Sequence, residues 1–258
     1  VAMSRRALVV VGGNGFVGSA VCAAAVHRQI PVVSVSRSGA PPAHLAGRAG
    51  AGTWVDAVKW VRGDALEPSS LQGVFADARA VVLTAGSPPL PFVDFDLQRR
   101  LNGPTNVEPM RAAVSAGVER LVLVNASMPA WLDHVAGGYA QGKRDAAAAM
   151  AEFVDGRPGA YAAILKPPAI YGTRHERTPL GMLPIPLGLV MAPISAAMRV
   201  LHGPTAALRS AAPYAFEGVL LPPVSVDSVA SAAIYHALDA ESACGVVTEE
   251  DALALLKF

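Results

Sequence analysis

The stretch that most restricts the fold is residues 7–18. Ala7-Leu8-Val9-Val10-Val11 is a buried strand by its unbroken apolar run, and Gly12-Gly13-Asn14-Gly15 punctuates it. Phe16 to Gln29 then carries helix-forming alanines with apolar residues on one face. Gly12, Gly15 and Gly18 are spaced G-x-x-G-x-x-G, while Gly13, Gly15 and Gly18 also satisfy G-x-G-x-x-G. Between a strand and a helix, such glycines let the backbone turn tightly and approach a pyrophosphate. The helix N-terminus adds free N–H groups and a partial positive charge. The expectation is a dinucleotide held by Gly12, Gly13, Asn14, Gly15, Phe16 and Gly18; the plainer alternative is a tight turn that binds nothing.

The pattern repeats along the first two-thirds of the chain. Strands are expected at Pro31–Ser36, Val58–Val61, Ala80–Thr84, Leu121–Val124 and Tyr161–Leu165. Helices are expected at Pro68–Phe75, at Leu97–Ala116 closed by Gly117, and at Tyr139–Phe153. Alternation of this kind implies an α/β fold with a doubly wound parallel sheet and helices on both faces. After Lys166 the character changes. Residues 167–223 are rich in proline and glycine, with a helix expected around Ile194–Leu208. Beyond them come a helix at Ser228–Leu238 capped by Ser225 or Asp227, a strand at Gly245–Thr248 and a terminal helix from Glu249. The reading is one domain over 1–258, with 167–223 folded back as a small C-terminal substrate lobe or lid.

Composition narrows the partners. The chain is 52% hydrophobic and 16% charged, against about 25% charged in an average soluble domain. That excludes a disordered chain and leaves surplus apolar surface for a core, a ligand, a partner or a membrane face. A net charge of +1 gives no electrostatic reason to expect a nucleic acid. Cys22 and Cys244 are far apart and His27, His44, His134, His175, His202 and His236 are scattered, so neither a disulfide framework nor a metal site is indicated. The uncharged run from Arg177 to Arg199 holds four prolines, which argues against a spanning helix. The chain starts Val1-Ala2-Met3 with no signal peptide in view, and an organelle transit peptide removed upstream is the expectation.

The end of the second strand bears on the cofactor. NAD-binding chains place an acid there, about 20 residues past the glycines, to bond the ribose hydroxyls. Here Ser34-Val35-Ser36-Arg37-Ser38 has none. Arg37 is suited to a 2′-phosphate, with Ser36 or Ser38 donating beside it, so NADP(H) is favoured and NAD(H) is the alternative. Asp64, ending the third strand, is placed to accept from the adenine amino group or to cap Pro68-Ser69-Ser70. Thr84, Ala85 and Gly86 end the fourth strand, where small residues let a cofactor pass close to the backbone. The catalytic candidates are Tyr139 and Lys143, four residues apart and so on one helix face. A lysine ammonium near a phenol favours phenolate, lowering its pKa from about 10 and readying it to move a proton while hydride moves on the nicotinamide.

Taken together the chain resembles the short-chain dehydrogenase/reductases of the extended and atypical kind. The resemblance rests on Val9 to Gly18, Asn102-Gly103-Pro104-Thr105-Asn106, Tyr139 with Lys143, and Leu165-Lys166-Pro167-Pro168-Ala169-Ile170-Tyr171-Gly172. Gly138 to Arg144 and Pro222 to Val226 look most like a subgroup. It includes a fungal mitochondrial protein associated with coenzyme Q biosynthesis, its plastid relatives and, more distantly, the nucleotide-binding accessory subunit of respiratory complex I. The resemblance implies a Rossmann fold with Tyr139 and Lys143 in acid/base roles and Lys143 on the nicotinamide ribose. It also implies Asn102 beside the active site, and Lys166 and Pro167 lining the nicotinamide end. The family's catalytic serine falls on Ser127, or, if the register lies at Asn125 or Ala126, is missing.

Two functions follow. One is an NADPH-dependent oxidoreductase acting on a hydrophobic, quinone- or lipid-like carbonyl or hydroxyl compound. The other is a non-catalytic NADPH-binding accessory subunit of a mitochondrial respiratory or quinone-biosynthesis complex. A mitochondrial setting is expected, with the plastid as alternative. A further partner is a membrane surface, docked through residues 178–198 with Arg174, Arg177 and Arg199 flanking them.

Overall fold

The computed structural model describes residues 7–45, 53–178, 181–212, 220–240 and 245–258. Cys244 and residues 179–180 of the uncharged run lie outside the described residues. Seven strands form one parallel sheet: β1 (Ala7–Val11), β2 (Val32–Ser36), β3 (Val58–Arg62), β4 (Ala78–Leu83), β5 (Arg120–Val124), β6 (Tyr161–Leu165) and β11 (Val247–Glu250). Their spatial order is β11-β6-β5-β4-β1-β2-β3. The chain runs outward in one direction from β1 to β3, then returns to β4 and runs out in the other. The crevice between the carboxyl ends of β1 and β4 is therefore the switch point at which open α/β sheets bind ligands.

Both faces of the sheet are covered, and side chains alternate between them. Leu8, Val10, Val82, Val122 and Leu165 pack toward α1 (Phe16–His27) and α7 (Val226–Ile234). Val9, Val11, Val81, Leu83, Leu121, Leu123 and Ile164 pack toward α3 (Pro104–Ser115) and α4 (Leu132–Val154). Strands buried on both sides account for much of the apolar composition. Cys22 sits in the first of these layers, where burial pushes its thiol up to about 12.

Several expected elements differ in detail. Pro68–Phe75 is only a 3₁₀ turn over Pro68–Leu71, because Gly73 takes φ +76° and turns the chain away. The expected helix Leu97–Ala116 is two, α2 (Phe95–Asn102) and α3, broken at Gly103 (φ −98°, ψ −83°) before Pro104. Helix α4 begins at Leu132, ahead of Tyr139, and is kinked at Ala136 (φ −146°, ψ 57°). Ile194–Leu208 divides into α5 (Gly188–Val200) and α6 (His202–Ala211). Ser225, not Asp227, caps α7 by accepting from the Ser228 N–H, and α7 runs on into a π-helical turn, Tyr235–Asp239. Glu249 lies inside β11; the last helix, α8 (Ala252–Leu255), is capped by Asp251 instead.

Between β6 and α7 stand two small sheets. β7 (Ile170–Tyr171) pairs in parallel with β10 (Val224–Ser225), and β8 (Thr173–Thr178) pairs antiparallel with β9 (Gly181–Pro186). Among the described residues no helix is long and apolar enough to cross a membrane.

Candidate dinucleotide-binding site

The glycine turn is shaped by what its residues lack. Gly12 adopts φ +82°, open to glycine and strained for other residues. Its N–H donates to the Val35 carbonyl at 2.8 Å and its own carbonyl accepts from the Gly15 N–H at 2.9 Å. A Cβ on Gly18 would run into the Gly12 carbonyl oxygen and lie 2.7 Å from Gly13 Cα, so α1 is pressed directly against the turn. Gly13 is backed by the Ser34 side chain. Gly15 caps α1 without a side-chain bond, so the first helical N–H groups stay open to an anion.

A cavity of about 230 Å³ lies in front of this turn. Gly12, Asn14 and Gly15 form one wall, and Ser36, Arg37 and Asp64 stand at the ends of β2 and β3. Thr84, Ala85 and Gly86 close it from β4, with Leu101 and Thr105 behind them. Among the described residues Asp64 is the one acid in this wall, and the loop after β2 contributes the cation Arg37. Asn14 Nδ2 donates to Ser38 Oγ at 3.0 Å, tying the turn to the loop that presents Arg37. Asp64 Oδ1 accepts from the Leu66 N–H at 2.9 Å, while Ser70 Oγ donates to the Asp64 carbonyl. Thr84 Oγ1 donates to the Val11 carbonyl at 2.8 Å and holds β4 to β1 at the mouth of the cleft. The glycine cradle and the uncapped helix are the features a dinucleotide's pyrophosphate needs.

Helices α2 and α4 bring the remaining candidates up behind Gly86. Two glycines set their distance. A Cβ on Gly138 would collide with the Phe95 carbonyl oxygen, and one on Gly142 would come within 2.7 Å of the Arg99 carbonyl and 2.9 Å of the Gly103 nitrogen. Asn102, fully buried, accepts from the Ser87 N–H at 3.2 Å and donates to Ser87 Oγ at 3.0 Å, so it clamps the loop after β4. A Cβ on Gly86 would stand 2.9 Å from Asn102 Oδ1 and 3.6 Å from Lys143 Nζ. Lys143 therefore lies immediately beyond the cavity's Gly86 end. Its Nζ donates to the Val124 carbonyl at 3.3 Å and sits 5.8 Å from the Tyr139 ring centre.

The electrostatics run opposite to the expected lowering of the phenol. Tyr139 is 8% exposed, packed with Leu132 and Ala136 and flanked by Ala126 and Met128, and burial pushes it up to about 12. Lys143 is 5% exposed, and burial pulls its ammonium down to about 8. Ser127 lies between Ala126 and Met128, its N–H donating to the Pro167 carbonyl at 3.0 Å. Lys166 stands apart: its Nζ pairs with Glu249 Oε2 at 2.6 Å, and neither Lys166 nor Pro167 is part of the cavity wall. Phe16 faces a different groove, beside Gly172 and Val226.

Two asparagines were not among the sequence-derived candidates for the site. Asn106 Nδ2 donates to the Ala85 and Asn102 carbonyls at 3.0 Å each. Asn125 Nδ2 donates to the Lys143 carbonyl at 3.1 Å. The Oδ1 atoms of both are buried with no hydrogen-bond partner among the described residues. The signal available for them was position alone, four residues after Asn102 and at the end of β5.

Comparison with known proteins agrees with this geometry. The chain is 36% identical over 246 residues to an uncharacterized chloroplastic protein of Arabidopsis thaliana, covering 94% of this chain and 75% of that one. It is 38% identical over 79 residues to MIOREX complex component 2 of Saccharomyces cerevisiae, covering 31% of this chain and 28% of that one. Among solved structures, UDP-galactose 4-epimerase superposes with a TM-score of 0.64 at 15% identity over 95% of this chain and 76% of its own. An oxidoreductase of the short-chain dehydrogenase/reductase family from Burkholderia thailandensis gives 0.64 at 18% identity over 98% and 94%. Both show the same Rossmann-like fold. A model of the NAD(P)H-binding protein family matches residues 12–177. That span takes in the glycine turn, the cleft and helix α4, and the chain belongs to the NAD(P)H-binding family.

Proposed function

We propose that this chain is an NADP(H)-dependent oxidoreductase of the short-chain dehydrogenase/reductase type, acting in an organelle on a hydrophobic, quinone- or lipid-like carbonyl or hydroxyl compound. The observation that carries it is the layout of the cleft, with Arg37 in its wall at β2 and Lys143 just beyond Gly86 at the far side. In this reading the glycine turn and the N-terminus of α1 hold the pyrophosphate, Arg37 pairs with the 2′-phosphate, and Lys143 holds the nicotinamide ribose. The dinucleotide supplies the hydride when bound. Tyr139, a phenol at neutral pH, is assigned to donate a proton to a carbonyl oxygen, the direction of reduction, with the neighbouring cofactor and substrate required to offset the burial that pushes it up to about 12. Ser127 beside it is assigned to orient that oxygen. Lys166 and Pro167 act from outside the cavity by fixing the strand end next to Ser127. The chloroplastic relative supports an organelle setting.

A second reading is a nucleotide-binding accessory subunit of an organelle complex. It is favoured by the burial of Tyr139 in an apolar cluster and by the yeast relative's membership of a complex. One set of measurements separates the two. Fluorescence titration is expected to give tighter binding of NADPH than NADH, with Arg37→Ala weakening NADPH about 10- to 100-fold and leaving NADH unchanged. Tyr139→Phe is expected to abolish NADPH oxidation by a short-tailed benzoquinone while NADPH still binds. Equal loss of both nucleotides in Arg37→Ala would remove the NADP(H) assignment. Undiminished turnover in Tyr139→Phe would remove Tyr139 from catalysis, and absence of turnover with intact nucleotide binding would favour the accessory reading.

A further inference from the structure

Helix α5 is built inside out. In a surface helix the apolar stripe faces the core and polar residues face water. Here the fully buried residue is Ser195, whose Oγ donates to the Pro223 carbonyl at 2.7 Å. Leu189, Val190 and Val200 are 78%, 66% and 84% exposed, and Ile194 and Leu201 join them on the outer side. Leu183 on β9 and Leu208 on α6, the elements on either side of α5 in the chain, are exposed as well. Such a surface, left in water, is among the strongest signs of a partner.

Charge says which kind. No acidic residue occurs between Glu176 and Glu217, while Arg177, Arg199 and Arg209 all fall within that interval. Exposed leucines and valines on a stretch of chain that carries arginines and no carboxylate complement a surface that is apolar beneath and anionic on top. A protein partner carrying its own mixture of charges would not need forty residues free of acid. At 13 residues α5 is about 20 Å long, too short to span a bilayer, so a helix lying in the interface is the geometry that fits. We propose that α5 and the start of α6 dock this protein on an anionic lipid surface, inserting Leu189, Val190, Ile194 and Val200 among the acyl chains with Arg199 and Arg209 at the headgroups. This inference rests on the C-terminal lobe alone and stands or falls independently of the cofactor and substrate assigned above.

Flotation of the full chain with lipid vesicles tests it. The protein is expected to float with phosphatidylcholine vesicles containing phosphatidylglycerol and much less with phosphatidylcholine alone. Leu189→Asp and Val200→Asp should each weaken partitioning about tenfold or more, and both should leave NADPH titration unchanged, since these side chains point away from the core. Arg199→Glu with Arg209→Glu should abolish the preference for the anionic vesicles. Failure to float with either vesicle overturns the proposal. So does a concentration-dependent dimer in light scattering that Leu189→Asp dissociates in a chain that does not float, because the face then belongs to a second copy.

Discussion

Lys143 shows how one buried charge ties the site to stability. Burial draws its ammonium from 10.5 to about 8, so between those values the folded chain binds fewer protons than the unfolded one. Stability therefore rises with pH across that window, and below about 8 the full cost of the buried charge is present. Lys143→Met should accordingly be the more stable protein near neutrality, by up to about 3 kcal/mol, with the difference closing as pH rises toward 10.5. Urea midpoints of both proteins across that range check this; a difference that does not change with pH would show that the ammonium carries no such cost. The residue's place on one face with Tyr139 was legible from the four-residue spacing. Its effect on the phenol was not. Spacing brings two side chains together but says nothing of the dielectric around them, and here the apolar neighbours Leu132, Ala136, Ala126 and Met128 outweigh an ammonium 5.8 Å from the ring.

The π-helical turn after α7 illustrates the same point for an element. Its His236 is buried, with Nδ1 2.5 Å from the Tyr161 hydroxyl and Nε2 3.2 Å from Glu250 Oε1, near enough to feel the carboxylate but off hydrogen-bonding alignment. Arg120 closes the group by donating to the His236 and Ala240 carbonyls while its guanidinium lies over the Tyr161 ring. Burial holds the imidazole below its ordinary 6.5, helped by Arg120 and opposed by Glu250. Acid must force a proton onto it, so stability is lost as pH falls below that value. Thermal unfolding of wild type should therefore drop more steeply than that of His236→Gln between about pH 7 and about pH 5; parallel curves would exclude the histidine as the cause. Nothing in the sequence announced this cluster, since its members come from three strands and a helix end. The strands themselves were legible because continuous Val and Leu runs admit few other structures. The split of Leu97–Ala116 falls at Gly103-Pro104, a local helix-breaking pair that the apolar periodicity runs straight across, and Gly142 packs against it there. Gly142, which looks on sequence like a weak point of α4, is where α2 and α4 touch.

At the scale of the whole molecule the sheet has two ends, and one is closed late in the chain. Among the described residues β11 pairs with β6 alone, and α8 packs in the same apolar layer as α1 and α7. Removing residues 245–258 should uncover the β6 edge, strip the layer of Ala252 and Leu255 and free Lys166 from Glu249. The expected outcome is a chain that aggregates on purification, read by light scattering; a monodisperse truncation with an unchanged melting temperature would mean that β11 is dispensable. The cleft, by contrast, is walled by residues from Val11 to Thr105. On a ribosome the residues that wall this cavity emerge before Lys143 and long before the strand that shields the sheet. A growing chain thus acquires its ligand pocket while one side of its framework is still open, and a dinucleotide captured at that moment would steady the nascent half until the last strand arrives to seal it.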